Sequence, residues 1–264
     1  MVNFRSADDI ELRLRSGVFE SPDEVLIVDN CSDPERVQTW ESDYGVTTIM
    51  SAENLGFAAA VNLAVRTSAS GSPILLLNPD LVLTAEVLSG LLEALASPAG
   101  LDGVAPLLIE PGNRVQVGAA GGPLTLSAVA AYFLMVSHLL PQVRGVFLTR
   151  RQLTRGVRAD WLCMACLLVD PDSFEKFGPV PEDELVYAED LAWGTAATSA
   201  GARFALQPHL TAVHARGGSG GSNRWVGAFE RTLRRRLPGW RGPLAVGCVR
   251  VGLGARRILG RRVD

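Results

Sequence analysis

Short apolar runs alternate with amphipathic stretches along most of the chain. Val25–Asp29 reads VLIVD, a β-branched run ending in polar residues, the pattern of a strand buried on both faces. Ser32-Asp33-Pro34-Glu35 then predicts a helix start with proline near its first position. Thr47–Met50 predicts a second strand, and the alanine-rich stretch 56–68 a helix. Pro73–Leu77 (PILLL) predicts another buried strand, stopped by Asn78-Pro79-Asp80. Thr84–Leu95 predicts a helix with Thr84 as N-cap and Glu86 in its first turn. Gly103–Ile109, Trp161–Val169 and Arg203–Leu206 predict strands, Ala188–Ala200 a helix, and a short strand precedes His214. Residues 121–160 interrupt the alternation. The order predicts an α/β fold whose mostly parallel central sheet is flanked by helices, with ligands at the carboxyl ends of the strands.

Composition changes the picture in a few places. A chain of 264 residues, 47% apolar and 20% charged, buries a full core and is not a disordered segment. Its net charge of −3 hides an asymmetry. Residues 224–264 hold 11 arginines, no lysine, and only Glu230 and Asp264 as acids, so that segment is +9 and residues 1–223 are −12. An acidic body with a basic tail points to an anionic surface partner, not to nucleic acid, because the body lacks a basic stripe interleaved with aromatics. Four cysteines in this length make no disulfide framework, so a reducing, cytoplasmic setting is expected. Asn3, Arg5 and Asp8 interrupt any apolar run at the start, so no secretory signal is expected. Leu124–Leu140 is short and partly polar for a spanning helix and predicts a buried or membrane-touching one.

Three motifs could carry chemistry. Asn78-Pro79-Asp80 places a carboxylate at a strand end, where Mg2+ or Mn2+ can join a substrate diphosphate. Alone, it equally fits an ordinary turn. Glu189-Asp190 opens a helix, and neighbouring side chains there point about 100° apart, so one acid can face a cleft while the other supports it. Alone, the pair fits simple dipole partners. His214 precedes Gly217-Gly218-Ser219-Gly220-Gly221; imidazole suits a metal, and glycine N–H groups suit phosphate. Alone, it fits a surface histidine beside a linker. The glycine run also matches G-x-S-x-G, but the residues after it are poor helix formers, which argues against a hydrolase elbow. Cys163-Met164-Ala165-Cys166 has no second pair to close a zinc site and reads as structural. No G-x-G-x-x-G fingerprint or Walker loop follows a strand.

The order of the pieces is more specific than any one of them. VLIVDNCS (25–32), ENLGFAAAVNLAV (53–65), ILLLNPDLVL (74–83), WLCMACLLV (161–169), LVYAEDLAW (185–193) and PHLTAVHARGGS (208–219) together closely resemble family-2 glycosyltransferases, especially their rhamnosyltransferase-like branch. The resemblance covers about residues 1–219. It implies a GT-A fold, with a nucleotide-sugar-binding half over 1–110, an acceptor and catalytic half over 111–219, and a basic, partly amphipathic helical tail over 220–264. It implies that Asp29 reads the nucleobase and that Asn3, Asn30, Asn54, Gly56, Phe57, Asn62 and Asn78 help line the donor site. Asp80 would hold Mn2+ or Mg2+, with His214 as a late metal or diphosphate contact. Trp161, Cys163, Met164 and Ala165 resemble the wall beside the transferred sugar and the acceptor. Asp190 fits the general base, supported by Glu189.

Three departures accompany the match. Family members open with an apolar strand of which only Met1-Val2-Asn3-Phe4-Arg5-Ser6 remains, so the natural start is expected upstream of Met1. The segment after Glu189-Asp190 lacks the family's second acid and its arginine, reading Leu191-Ala192-Trp193-Gly194-Thr195-Ala196. The usual S-G-A is the bulkier Cys163-Met164-Ala165.

The resemblance implies an inverting transfer from a nucleotide sugar, dTDP-rhamnose or a UDP-sugar, to a glycan or polyprenyl-linked acceptor in cell-envelope polysaccharide synthesis. The competing reading is a glycosyltransferase-like scaffold without turnover, favoured by the departures. In the tail, Leu244, Cys248, Val251, Ala255 and Ile258 recur at helical spacing, and Arg250, Arg257 and Arg261 share another face. That pattern predicts a helix on an anionic membrane, so a peripheral position on the inner face of the cell membrane is expected.

Overall fold

The computed structural model describes residues 1–19, 24–68, 71–184, 186–215 and 224–258. Strands β1 (Val2–Asn3), β2 (Leu26–Asp29) and β3 (Thr47–Met50) pair in parallel, in that order across one sheet. Helices α1 (Ala7–Leu14) and α2 (Pro34–Tyr44) connect them. Pro34 opens α2, and Gly45 closes it in the left-handed region at φ 66°. Ile10, Ile27, Val37 and Trp40 form a small core beneath this sheet.

The chain continues through α3 (Phe57–Thr67), β4 (Ile74–Leu77), β5 (Leu81–Val82), α4 (Ala85–Leu95) and β6 (Gly103–Glu110). The Thr84 side chain caps α4 by accepting from Val87 N–H, as its position predicts. Short strands β7 (Arg114–Val115) and β8 (Ala120–Gly121) lead to helices α5 (Leu126–Phe133), α6 (Val136–Leu139) and α7 (Arg150–Thr154). The single helix expected over Leu124–Leu140 is therefore two, broken at Met135, whose φ of 66° cannot continue a helix.

Next come β9 (Trp161–Leu162), β10 (Cys166–Val169), α8 (Ser173–Phe177), α9 (Glu189–Ser199), β11 (Phe204–His214), α10 (Arg224–Arg236) and α11 (Arg241–Ile258). The strand expected over 161–169 is two strands, because β9 pairs with β8 while β10 enters the main sheet. Conversely, the two strands expected near 203–206 and before His214 are one, β11, with a register shift between Gln207 and Thr211. The main sheet runs β4-β10-β6-β11-β5, with β7 on the edge of β6. Its β6–β11 pair is parallel and its other pairs are antiparallel, so the parallel character is carried by the first sheet and this central pair.

The tail packs on the body. Phe229, Leu233, Val246 and Val249 of α10 and α11 join Val129, Phe133 and Trp161 in a second core, which also holds Leu191 of α9. Among the described residues no helix is long and apolar enough to cross a membrane.

Candidate active site

Strand ends of the first sheet gather one polar cluster. Asn3 at the end of β1 donates from Nδ2 to Asp29 Oδ1 at 2.7 Å. The Ser32 hydroxyl donates to the same oxygen at 2.8 Å, and Ser32 N–H to Oδ2 at 3.2 Å. Asn30 accepts from Leu55 N–H at 2.7 Å and donates to the Gly56 carbonyl at 3.2 Å, pinning the turn before α3 onto β2. Asn54 accepts from Gly56 N–H at 3.0 Å, and Gly56 sits at φ 85°, a value that favours glycine. Asn3, Asp29, Asn30, Asn54, Gly56 and Phe57 are thus brought together. Asn3, Asp29 and Asn30 are all buried, so Asp29 forms the floor of this region through its neighbours.

The second cluster joins residues far apart in sequence. β5 pairs with β11 so that His214 lies opposite Leu81, beside Asp80. His214 Nε2 is 3.2 Å from Asp80 Oδ1, and Nδ1 is 2.8 Å from Gln116 Oε1. An amide oxygen only accepts, so Nδ1 carries a proton and Nε2 points at the carboxylate. Two electron-rich atoms so close are reconciled by a cation, either a proton on the ring or a metal. One carboxylate and one imidazole held by an outer partner fit a divalent metal, with imidazole favouring Mn2+ over Mg2+. Among the described residues no third His, Cys, Asp or Glu joins them. Gln116 escaped the sequence reading because it sits in an irregular stretch with no motif around it.

The third cluster opens α9. Tyr187 and Ala188 precede it with φ of 76° and 69°, a left-handed pair of non-glycine residues. Backbone in that region is strained and is held only by its surroundings. Asp190 accepts from Leu191 N–H at 2.7 Å and also from Met164 N–H and Cys163. Burial pushes Asp190 up to about 6 despite these bonds. Burial first, then the Asp190 charge, pushes Glu189 up to about 8, and its Oε2 is buried with no hydrogen-bond partner. Burial thus favours the protonated form of both acids, and their mutual repulsion opposes ionising both at once. Burial, then the Asp190 charge, holds the Cys163 thiol well above its usual range.

Backbone contacts link the second and third clusters. Asn78 N–H donates to the Ala165 carbonyl at 2.8 Å, and Leu77 is opposite Cys166. The Asn78–Asp80 turn thus abuts the Cys163–Ala165 turn that touches Asp190.

Two predicted site residues have other employment. Asn62 donates to the Val180 carbonyl and Glu182 and accepts from Val180 N–H, all within 2.9 Å, so it ties α3 to the loop leading to α9. Trp161 is 1% exposed, with its indole N–H on the Val146 carbonyl at 2.9 Å. Met164 and Ala165 are buried as well; of that motif, Cys163 is the partly exposed member. Gly194 of α9 packs on Trp161: a Cβ there would lie 2.5 Å from Trp161 Cβ. The glycine run 217–221 lies outside the described residues, as does Arg261.

Comparison with known proteins bears on the fold. Residues 10–117 match the family model described as Glycosyl transferase family 2. The mannosyltransferase PcManGT from Pyrobaculum calidifontis, in complex with GDP-Man and Mn2+, superposes with a TM-score of 0.59 at 17% identity, over 99% of this chain and 74% of that one. This is a GT-A fold. S. aureus TarS 1-349 with UDP-GlcNAc gives a TM-score of 0.60 at 15% identity, over 89% of this chain and 63% of that one. GalNAc-T7 with UDP, GalNAc and Mn2+ gives 0.54 at 13% identity, over 79% and 42%. At these identities the structural likeness is one of fold. No curated protein sequence matches. The residues matched by that family model include Asp29, Asn30, Asn54, Gly56 and Phe57 of the first cluster and Asp80 of the second.

Proposed function

We propose that this chain moves a sugar from a nucleoside diphosphate donor to an acceptor hydroxyl with inversion at the anomeric carbon. The meeting of Asp80 and His214 at 3.2 Å, with the Asp80 turn hydrogen-bonded to the Cys163–Ala165 turn beside Asp190, carries the reading. Residues 1–110 hold the donor and 111–219 complete the site with the acceptor and the base. Asp29, with Asn3, Asn30, Asn54, Gly56 and Phe57, shapes the nucleotide end. Asp80 and His214 would hold the divalent metal, which when bound supplies neutralising charge for the departing diphosphate. Asp190, ionised and aimed by Leu191 and Met164 N–H groups, takes the acceptor proton as the oxygen attacks. Glu189, whose burial favours its protonated form, supports Asp190 from the neighbouring position. A buried carboxyl with one oxygen unsatisfied beside a second acid is costly to keep, and binding alone gives it no use, so the arrangement favours turnover over a non-catalytic scaffold.

The sequence resemblance favours dTDP-rhamnose, with a UDP-sugar as the next donor, and a glycan or polyprenyl-linked acceptor in cell-envelope polysaccharide assembly at the cytoplasmic face. Thermal-shift titration with a panel of nucleotide sugars, with and without Mn2+, tests this. One donor stabilising the chain only when Mn2+ is present is the expected result. No metal-dependent stabilisation by any nucleotide sugar would refute it.

A further inference from the structure

Helix α11 is apolar on two faces, and the fold covers only one. Gly242, Ala245, Val246, Val249, Gly252 and Leu253 are buried against the body. Gly252 makes the approach close: a Cβ there would lie 2.3 Å from the Phe133 carbonyl oxygen. The other stripe starts at Trp240, whose carbonyl accepts from Leu244 N–H. Trp240, Leu244, Val251 and Ile258 are 67%, 49%, 63% and 87% exposed. Beside α11, the corner between α5 and α6 leaves Leu134 and Leu139 exposed as well. That corner is fixed to α11 by Arg256, which donates to the Tyr132 carbonyl at 3.2 Å and stacks on the Tyr132 and Phe133 rings.

Charge is as one-sided as apolarity. The two stretches that supply these helices, residues 111–159 and 231–263, contain 16 arginines and no Asp or Glu. Arg231, Arg235, Arg236 and Arg250 are paired with acids from other segments. Arg241, stacked on Trp240, and Arg257 are exposed along the apolar stripe. A second copy of this chain is a poor occupant, because a two-fold contact would set arginine against arginine.

We propose that this face docks on an anionic lipid bilayer, with α11 lying in the headgroup plane, its exposed stripe dipped into the acyl boundary and Arg241 and Arg257 on lipid phosphates. Trp240 sits where an amphipathic ring belongs, at the interface. The docking does not depend on the donor reading, since none of these residues touches the three clusters of the site.

Flotation of the full chain with vesicles tests it. One vesicle set is one third phosphatidylglycerol in phosphatidylcholine; the other is phosphatidylcholine alone. Binding is expected to the anionic set alone, and to fall about tenfold or more when salt is raised from about 0.1 M to 0.5 M. Leu244→Ser/Val251→Ser/Ile258→Ser and, separately, Arg241→Gln/Arg257→Gln should each cut binding about tenfold or more with unchanged melting temperature and metal-dependent donor stabilisation. No flotation, equal binding to neutral vesicles, or full binding by both variants would overturn the proposal. So would self-association, read by light scattering, that the triple substitution abolishes while vesicles are ignored. Binding to polyglutamate as strong as to vesicles would assign the face to an acidic protein instead.

Discussion

Two carboxylates in this molecule are treated in opposite ways. Asp29, at the end of β2, is buried but accepts from Asn3, Ser32 N–H and the Ser32 hydroxyl. Glu189, at the start of α9, buries an oxygen that nothing satisfies, beside a second acid and behind a left-handed pair of residues. The first arrangement fixes a shape at little internal conflict. The second pushes Glu189 and Asp190 both toward their protonated forms, by burial first and for Glu189 by the neighbouring acid as well. Binding regions need rigid, satisfied polar groups; a general base needs a displaced pKa and a neighbour that does not compete for the same proton.

The sharpest break of this contrast is Asp190→Asn. Transfer should fall by about 10²–10⁴-fold while donor affinity stays within error, measured by product formation and by calorimetry on the same preparation. Asp29→Ala should act the other way round. It strands Asn3 and Ser32 in a buried site and should cost about 3 kcal/mol in chemical denaturation, with donor binding lost. Gln116→Leu removes the acceptor for His214 Nδ1–H, so Mn2+ affinity should drop about 10–100-fold, read by electron paramagnetic resonance of free Mn2+. Gln116→Glu, which still accepts, should recover most of that affinity.

Glu189→Gln gives the smallest effect and tests the proton directly. A carboxyl raised in the folded state from 4.5 to about 8 favours folding when protonated, so its contribution is full below about 4.5 and is lost as pH climbs to about 8. Wild-type melting temperature should decline across that window relative to Glu189→Gln, which has no proton to lose. Transfer by the wild type should rise as pH passes about 6, where Asp190 ionises.

Much of this was legible in residue order. Pro34 and Thr84 mark their helix starts by local chemistry, and the polar residues ending β2 and β4 mark the strand ends where the first and second clusters form. The joining of Asp80 to His214 came only through the family resemblance, since 134 positions separate them. Gln116 was illegible because nothing local distinguishes a glutamine that holds a histidine 98 residues away. Helix α11 taught a different lesson. The stripe of Leu244, Cys248, Val251, Ala255 and Ile258 is its conspicuous apolar face, but much of it is exposed. The buried face uses Gly242, Ala245 and Gly252, small residues that hydropathy scores low and close packing requires. The break at Cys163–Ala165 was hidden for a related reason: both strands are buried, so the apolar run gives no sign of where pairing changes.

In the proposed reaction, Asp80 and His214 serve the same donor whose sugar Asp190 helps to transfer. Calorimetric titration of the donor into wild type and Asp80→Ala, with and without Mn2+, tests it most directly. Mn2+ should tighten donor binding in the wild type and leave Asp80→Ala unmoved. Equal Mn2+ enhancement in both would contradict it.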